Sequence, residues 1–195
     1  TGVQTCALPI CVYFIDEPTV DQAQPVIKDG REMFPQVKPR TLRLTYPDEA
    51  HDCESLAVDP TSGDLYLITK QYGGDKRPTT VYRASVPKKI EGQTVELTEV
   101  AELRYRGVTA ADMSADGRRL VIESGGAAYL FDRAAKEDWA DALKRPPLRI
   151  RLPRLKQGES IAFGADGWTL YLTSEKRPTP LWQIPLRVDE QGTGE

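Results

Sequence analysis

The chain has 195 residues, 39% of them hydrophobic and 28% charged, and its 26 Lys and Arg against 29 Asp and Glu leave a net charge of −3. Mixed charges without a basic stripe argue against a nucleic-acid surface, and no apolar run approaches the roughly 18 residues of a membrane-spanning helix. The length suffices for a single core.

Residues 1–10, TGVQTCALPI, carry no charge and read as a one-frame translation of a common sequencing-library adaptor, with Cys11 at the junction. Segment 1–11 is therefore expected to be foreign and residues 1–10 to add nothing to the core, with the native chain starting near Val12 as part of a longer protein. Cys53 is then the one native cysteine, and a single thiol makes no intramolecular disulfide. At the start of an apolar strand it is expected to be packed.

From Val12 onward the chain reads as short strands. Residues 12–18 (VYFIDEP) and 81–87 (VYRASVP) share Val-Tyr, four residues and Pro, and 128–133 and 181–186 hold the same place after their own hairpins. Aromatic and β-branched residues with Pro at the ends suit strands. The polar stretch 19–40 reads as a long connection, with one helical turn expected around Ile27–Phe34. Further strands are expected at 41–46, 95–105 and 147–152, where partial period-2 alternation appears. Between them, Trp139 and Leu143 stand at i,i+4 within 134–144, which predicts a short amphipathic helix with Trp139 as a packing anchor.

The chain is organised by a repeat. An apolar run, a turn and a second apolar run occur at 54–68 (ESLAVDPTSGDLYLI), 109–122 (TAADMSADGRRLVI) and 159–173 (ESIAFGADGWTLYLT). The Asp116-Gly117 and Asp166-Gly167 turns lie 50 residues apart, and Lys76-Arg77-Pro78-Thr79 returns as Lys176-Arg177-Pro178-Thr179 after 100. A hairpin repeat near that period signals stacked sheet modules. The expected fold is all-β: a partial β-propeller of about three and a half four-stranded blades. Blade boundaries fall near 12–49, 50–105, 106–157 and 158–187, the last without a fourth strand, and 188–195 (VDEQGTGE) reads as a flexible tail.

The pieces HDCESLAVDPTSGDLYLITK, VTAADMSADGRRLVI and QGESIAFGADGWTLYLTSE resemble bacterial, often exported, propeller proteins near the lactonase-like and WD40-like groups. The resemblance covers most of 41–186 and implies a ring of six blades and an exported location. It transfers no catalytic residue, and the WD40 signature of Gly-His with Trp-Asp is absent.

Propeller geometry sorts the candidate site residues. Turns joining strands one and two lie on one face of the disc, so Asp59, Asp116 and Asp166 are expected to serve hairpin turns. The other face, around the channel mouth, collects His51, Asp52, Glu54, Thr109 and Glu159 at the entrances of first strands. It also collects Lys70, Glu123 and Glu175 at the ends of second strands, followed by Lys76-Arg77 and Lys176-Arg177. Glu54 and Glu159 hold equivalent positions and could give oxygen ligands to calcium, or pair with neighbouring Lys and Arg. His51, the only histidine, could join Asp52 as ligand or base, or be a hydrogen-bonded loop residue. No nucleophile elbow, Cys pair or phosphate loop occurs. The favoured expectation is a binding or scaffold module that presents this face to a small molecule or protein. The alternative is a calcium-dependent lactonase- or phosphoesterase-type hydrolase. Open sheet edges and faces also predict self-association.

Overall fold

The computed structural model describes residues 10–17, 19, 25–33, 37–71 and 77–186. Residues 1–9, the polar tail and Lys76 lie outside the described residues. Sixteen strands, β1 to β16, and one short helix, α1, make up the described secondary structure.

Strands β1 (Ile10–Phe14) and β4 (Arg40–Thr45) pair antiparallel and form the first, half blade. This first strand differs from the expected 12–18. Ile10, Val12 and Phe14 alternate on one side and pack against a buried cluster with Leu42, Leu44 and Leu67, so Ile10, expected to add nothing, joins the core, and the pairing runs on through the junction residue Cys11. Within the connection, β2 (Val26–Lys28) and β3 (Arg31–Met33) form a small hairpin, not a helical turn. Asp29 and Gly30 take φ of 51° and 72°, the left-handed pair that a two-residue hairpin turn requires. Phe34, at the end of the expected helical turn, lies outside the described residues.

The second blade holds β5 (Cys53–Val58), β6 (Leu65–Thr69), β7 (Thr79–Ala84) and β9 (Thr98–Leu103), all antiparallel in that order. The expected strand 95–105 is broken at Leu97. Before it, β8 (Thr94–Glu96) crosses to the first blade and pairs parallel with β4. Leu97 itself is buried, and its N–H donates to Thr45 O at 2.8 Å. Burial of Leu97 in the neighbouring core thus turns one apolar run into two strands on two sheets.

The third blade is β10 (Val108–Met113), β11 (Arg119–Ser124), β12 (Ala127–Asp132) and β13 (Leu148–Arg151). The helix α1 (Trp139–Ala142) interrupts it, N-capped by Asp138, whose carboxylate accepts from the Ala140 N–H. Trp139 is fully buried, as expected of an anchor, with the Arg133 guanidinium 4.7 Å above its ring. The fourth blade has three strands, β14 (Gly158–Phe163), β15 (Thr169–Ser174) and β16 (Trp182–Pro185).

Three apolar layers lie between successive blades. Every residue of β6 and β11 is buried, whereas β13 and β16 are mostly exposed. Second strands are covered on both faces, and outer strands meet solvent. The chain is therefore a partial β-propeller, as the repeat predicts.

Candidate functional site at the channel mouth

The first strand of each complete blade carries the same irregularity. Pairing skips one residue between Cys53 and Ser55, between Val108 and Ala110, and between Gly158 and Ser160. The extra residues are Glu54, Thr109 and Glu159. A bulge leaves its extra residue outside the ladder and bends the strand, so the repeat delivers three equivalent side chains to one rim. Thr109 Oγ1 donates to Gly158 O at 2.8 Å and ties two blades together there.

The glutamates are placed differently from each other. Lys70 Nζ donates to Glu54 Oε2 at 2.5 Å. Burial works against the Lys70 charge, but that hydrogen bond and the fields of Glu54, Glu159 and Asp52 outweigh it and raise its pKa. Glu159 has no such bond. Burial first, then the Glu54 charge, pushes its carboxyl up, and Glu175 adds to the effect. Asp52 is shifted the same way, by burial and by Glu54.

Glu123, at the end of β11, is strongly perturbed. It is 3% exposed, its Oε2 has no hydrogen-bond partner, and burial followed by Glu159 pushes its carboxyl up to about 7. By pairing register, Glu123 opposite Ala110 corresponds to Ile68 opposite Ser55 in the second blade and Thr173 opposite Ser160 in the fourth. A carboxyl thus stands where the second blade buries an aliphatic side chain. Room for it comes from Gly158, since a Cβ there would lie within 3 Å of three Glu123 carboxyl atoms. The equivalent positions on the other blades are Cys53 and Val108, which do carry a Cβ. The two departures from the repeat are coupled, and together they seat an unpaired acid beside Glu159.

His51 belongs elsewhere. It is buried, its Nε2 lies 3.0 Å from both oxygens of Asp48 and 3.2 Å from Tyr82 Oη, and its ring meets Tyr46 edge-on at 4.7 Å. Burial opposes ionisation of Asp48, yet the His51 hydrogen bond holds its carboxyl below the usual range. Burial, then the Asp48 charge, pushes Tyr82 up to about 12. The histidine is thus a hydrogen-bonded, caged residue, and Asp52 has no recorded bond to it. Asp48, three residues earlier in the loop, holds the His51 ring. Cys53 is half-buried, and its Sγ lies 3.3 Å from Ile68 O. Arg77 Nη1 meets Glu49 Oε1 at 2.7 Å. Among the described residues, no three His, Cys, Asp or Glu side chains are grouped so that they could hold a metal ion.

The opposite, turn-bearing face has its aspartates fully engaged. Asp59 Oδ1 accepts from Thr61 N and Oγ1 at 2.9 and 2.6 Å, and Asp59 Oδ2 accepts from Arg133 Nη2 at 2.7 Å, across the second and third blades. Asp116 accepts from Ser114 Oγ and Arg118 N, and Asp166 from Trp168 N, Thr169 N and Thr169 Oγ1. Their carboxyls sit below the ordinary value: Asp59 despite burial, Asp116 first through Ser114, Asp166 first through Thr169. Arg119 donates to Gly167 O at 3.3 Å and stacks 3.7 Å from the Trp168 ring centre, linking the third and fourth blades. A cleft of about 620 Å³ lies beside Asp59 and Arg133. These aspartates serve the turns and the joins between blades, as expected.

No protein-family model and no curated protein matches the chain. Among solved structures, a nidogen/laminin complex, a β-propeller-containing protein, is similar with a TM-score of 0.50 at 13% identity. The similarity covers 83% of this chain and 53% of that one, so the chain spans about half the length of this neighbour. At that identity the likeness shows the fold alone. Four sheets of the expected order and this likeness agree that the chain is a partial β-propeller of about three and a half blades.

Proposed function

We propose that this protein is a binding module whose channel mouth takes a positively charged group of a small molecule or protein. The observation that carries the reading is the uncompensated acidity there. Asp52, Glu54 and Glu159 act on Lys70, which Glu54 already holds, while Glu159 also feels Glu175 and acts on Glu123, whose Oε2 has no hydrogen-bond partner. Carboxyls pushed up by burial and by each other are relieved when a cation arrives, and perturbed acids gathered in a concavity mark candidate sites.

The test is titration of a fluorescein-labelled oligolysine peptide at low salt, followed by anisotropy. The expected result is saturable binding that weakens with ionic strength, as screening requires, and weakens several-fold in Glu159→Gln. Absence of binding at low salt, or equal binding by the Glu159→Gln variant, overturns the reading.

A further inference from the structure

The two blade-to-blade joins formed by first strands follow one rule. Residues facing the following blade are mostly small: Ser55 and Ala57 on β5, Ala110 and Asp112 on β10. Residues facing the preceding blade are mostly larger: Ala111 and Met113 on β10, Ile161 and Phe163 on β14. Cluster membership fixes these directions. Ala57 shares a buried cluster with Met113, and Ala110 shares one with Ile161 and Phe163. Asp112 Oδ2 even accepts from Phe163 N at 2.7 Å across the second join. In both joins, the larger side chains of one first strand lie over the smaller ones of the blade before.

On β5 the large positions have no first strand over them among the described residues. Leu56 and Val58 pair across the sheet with Leu67 and Leu65, so they face the first blade. They are nevertheless 45% and 49% exposed, while Leu65 and Leu67 are buried. The half blade covers the outer part of this face and leaves the inner part bare. Beside the bare part, β1 is paired among the described residues on one edge only, to β4. A groove of about 350 Å³ runs between β1 and β5, lined by Ile10, Val12, Tyr13, Cys53 and Leu56 among others, and it is mainly apolar. Tyr13 at its rim is 63% exposed.

We propose that this groove receives a β-hairpin supplied from outside the described blades. Its second strand pairs antiparallel with the free edge of β1, as β6 pairs with β7. Its first strand lays small residues, Ser or Ala at alternate positions, over Leu56 and Val58. The occupant is thereby specified by the joins that the chain already makes: it is a first-and-second-strand unit of the same type as β14–β15, whose Ser160 and Ala162 face away from the third blade. Edge pairing gives such a guest its main-chain hydrogen bonds, and alternate side chains give it selectivity.

The chain's own hairpin supplies the probe. A labelled peptide of residues 158–174 is titrated into the full chain and followed by anisotropy. Saturable binding is expected, weakened at least about tenfold, or about 1.4 kcal/mol, by Leu56→Lys with Val58→Lys. The same loss is expected when the peptide carries Ala162→Arg. Both chain positions are half exposed, so circular dichroism should show the variant folded. Because a free hairpin is only marginally stable, a second arm joins the same segment to the chain through a Gly-Ser linker ahead of Ile10. The melting temperature should rise relative to the fusion carrying Ala162→Arg. No rise in that fusion, or peptide binding indifferent to Leu56 and Val58, overturns the proposal and leaves the groove to some other occupant.

Discussion

The two faces of this propeller carry the same kind of residue in opposite states. On the turn face, Asp59, Asp116 and Asp166 each accept several hydrogen bonds, and their carboxyls lie below the ordinary value. At the mouth, Asp52, Glu123 and Glu159 lie above it, because burial and like charges act without enough donors to answer them. Composition does not distinguish the two sets. What differs is the backbone around them: a tight turn aims N–H groups back at its own aspartate, whereas a bulge turns Glu159 out of its ladder and Glu123 is buried in its ladder opposite Ala110 with no donor for its Oε2. Satisfied acids hold the structure together, and unsatisfied ones wait for something.

The largest effect expected from this contrast is on the turn face. Asp59→Ala removes the partner of Arg133 at a site where Asp59 is 2% exposed, and breaking a buried pair from one side costs about 3–5 kcal/mol. Urea unfolding should show that loss. A change under about 1 kcal/mol would mean that the joins between blades do not depend on this bridge.

At the mouth the sign reverses. Glu123 has a folded-state pKa of about 7, raised from 4.5, so the folded protein holds its proton more tightly than the unfolded chain does. The stability this contributes is fully present below about pH 4.5 and is lost as pH rises towards 7. Glu123→Gln should therefore match the wild type near pH 4 and exceed it at pH 8 by on the order of 3 kcal/mol at most. Melting temperatures across that range decide the matter, and parallel curves for the two proteins would remove Glu123 from the argument. Asp59, Asp116 and Asp166 act oppositely, stabilising above about pH 4 and ceasing to do so in acid.

The smallest effect concerns calcium. Among the described residues no three ligating side chains are grouped, so millimolar calcium should raise the melting temperature only slightly, through loose attraction to the acidic mouth. A clear rise, absent in Glu54→Gln and Glu159→Gln, would show that the mouth gathers its carboxylates around a metal after all, since a ligand specific to the folded state raises stability.

Much of this architecture was legible before any coordinates. The three hairpins, the third and fourth strands of the third blade, the buried Trp139 and the turn duty of Asp59, Asp116 and Asp166 all follow from alternation, spacing and turn chemistry. The equivalence of Glu54 and Glu159 was readable too, from two copies of Glu-Ser-(Leu/Ile)-Ala. The hairpin at Asp29-Gly30 was equally readable, because Lys-Asp-Gly-Arg is a two-residue turn signal, but the apolar Val26 and Ile27 suggested a helix instead. His51 was harder. Its partners Asp48 and Tyr82 come from a loop and from another strand, and nothing in the run His-Asp-Cys-Glu points to them.

By itself, then, the sequence determined the blades, because a strand joined to its neighbour by a short turn takes its partner from local chemistry. Only the tertiary structure decided that residues 94–96 desert their own blade for β4, since that pairing depends on where Leu97 finds a core. It alone decided that Glu123 sits against Gly158, two residues that share no strand and no hairpin. A carboxyl's charge depends on what other segments bring within a few ångströms of it, and burial between blades is a property of the assembled sheets.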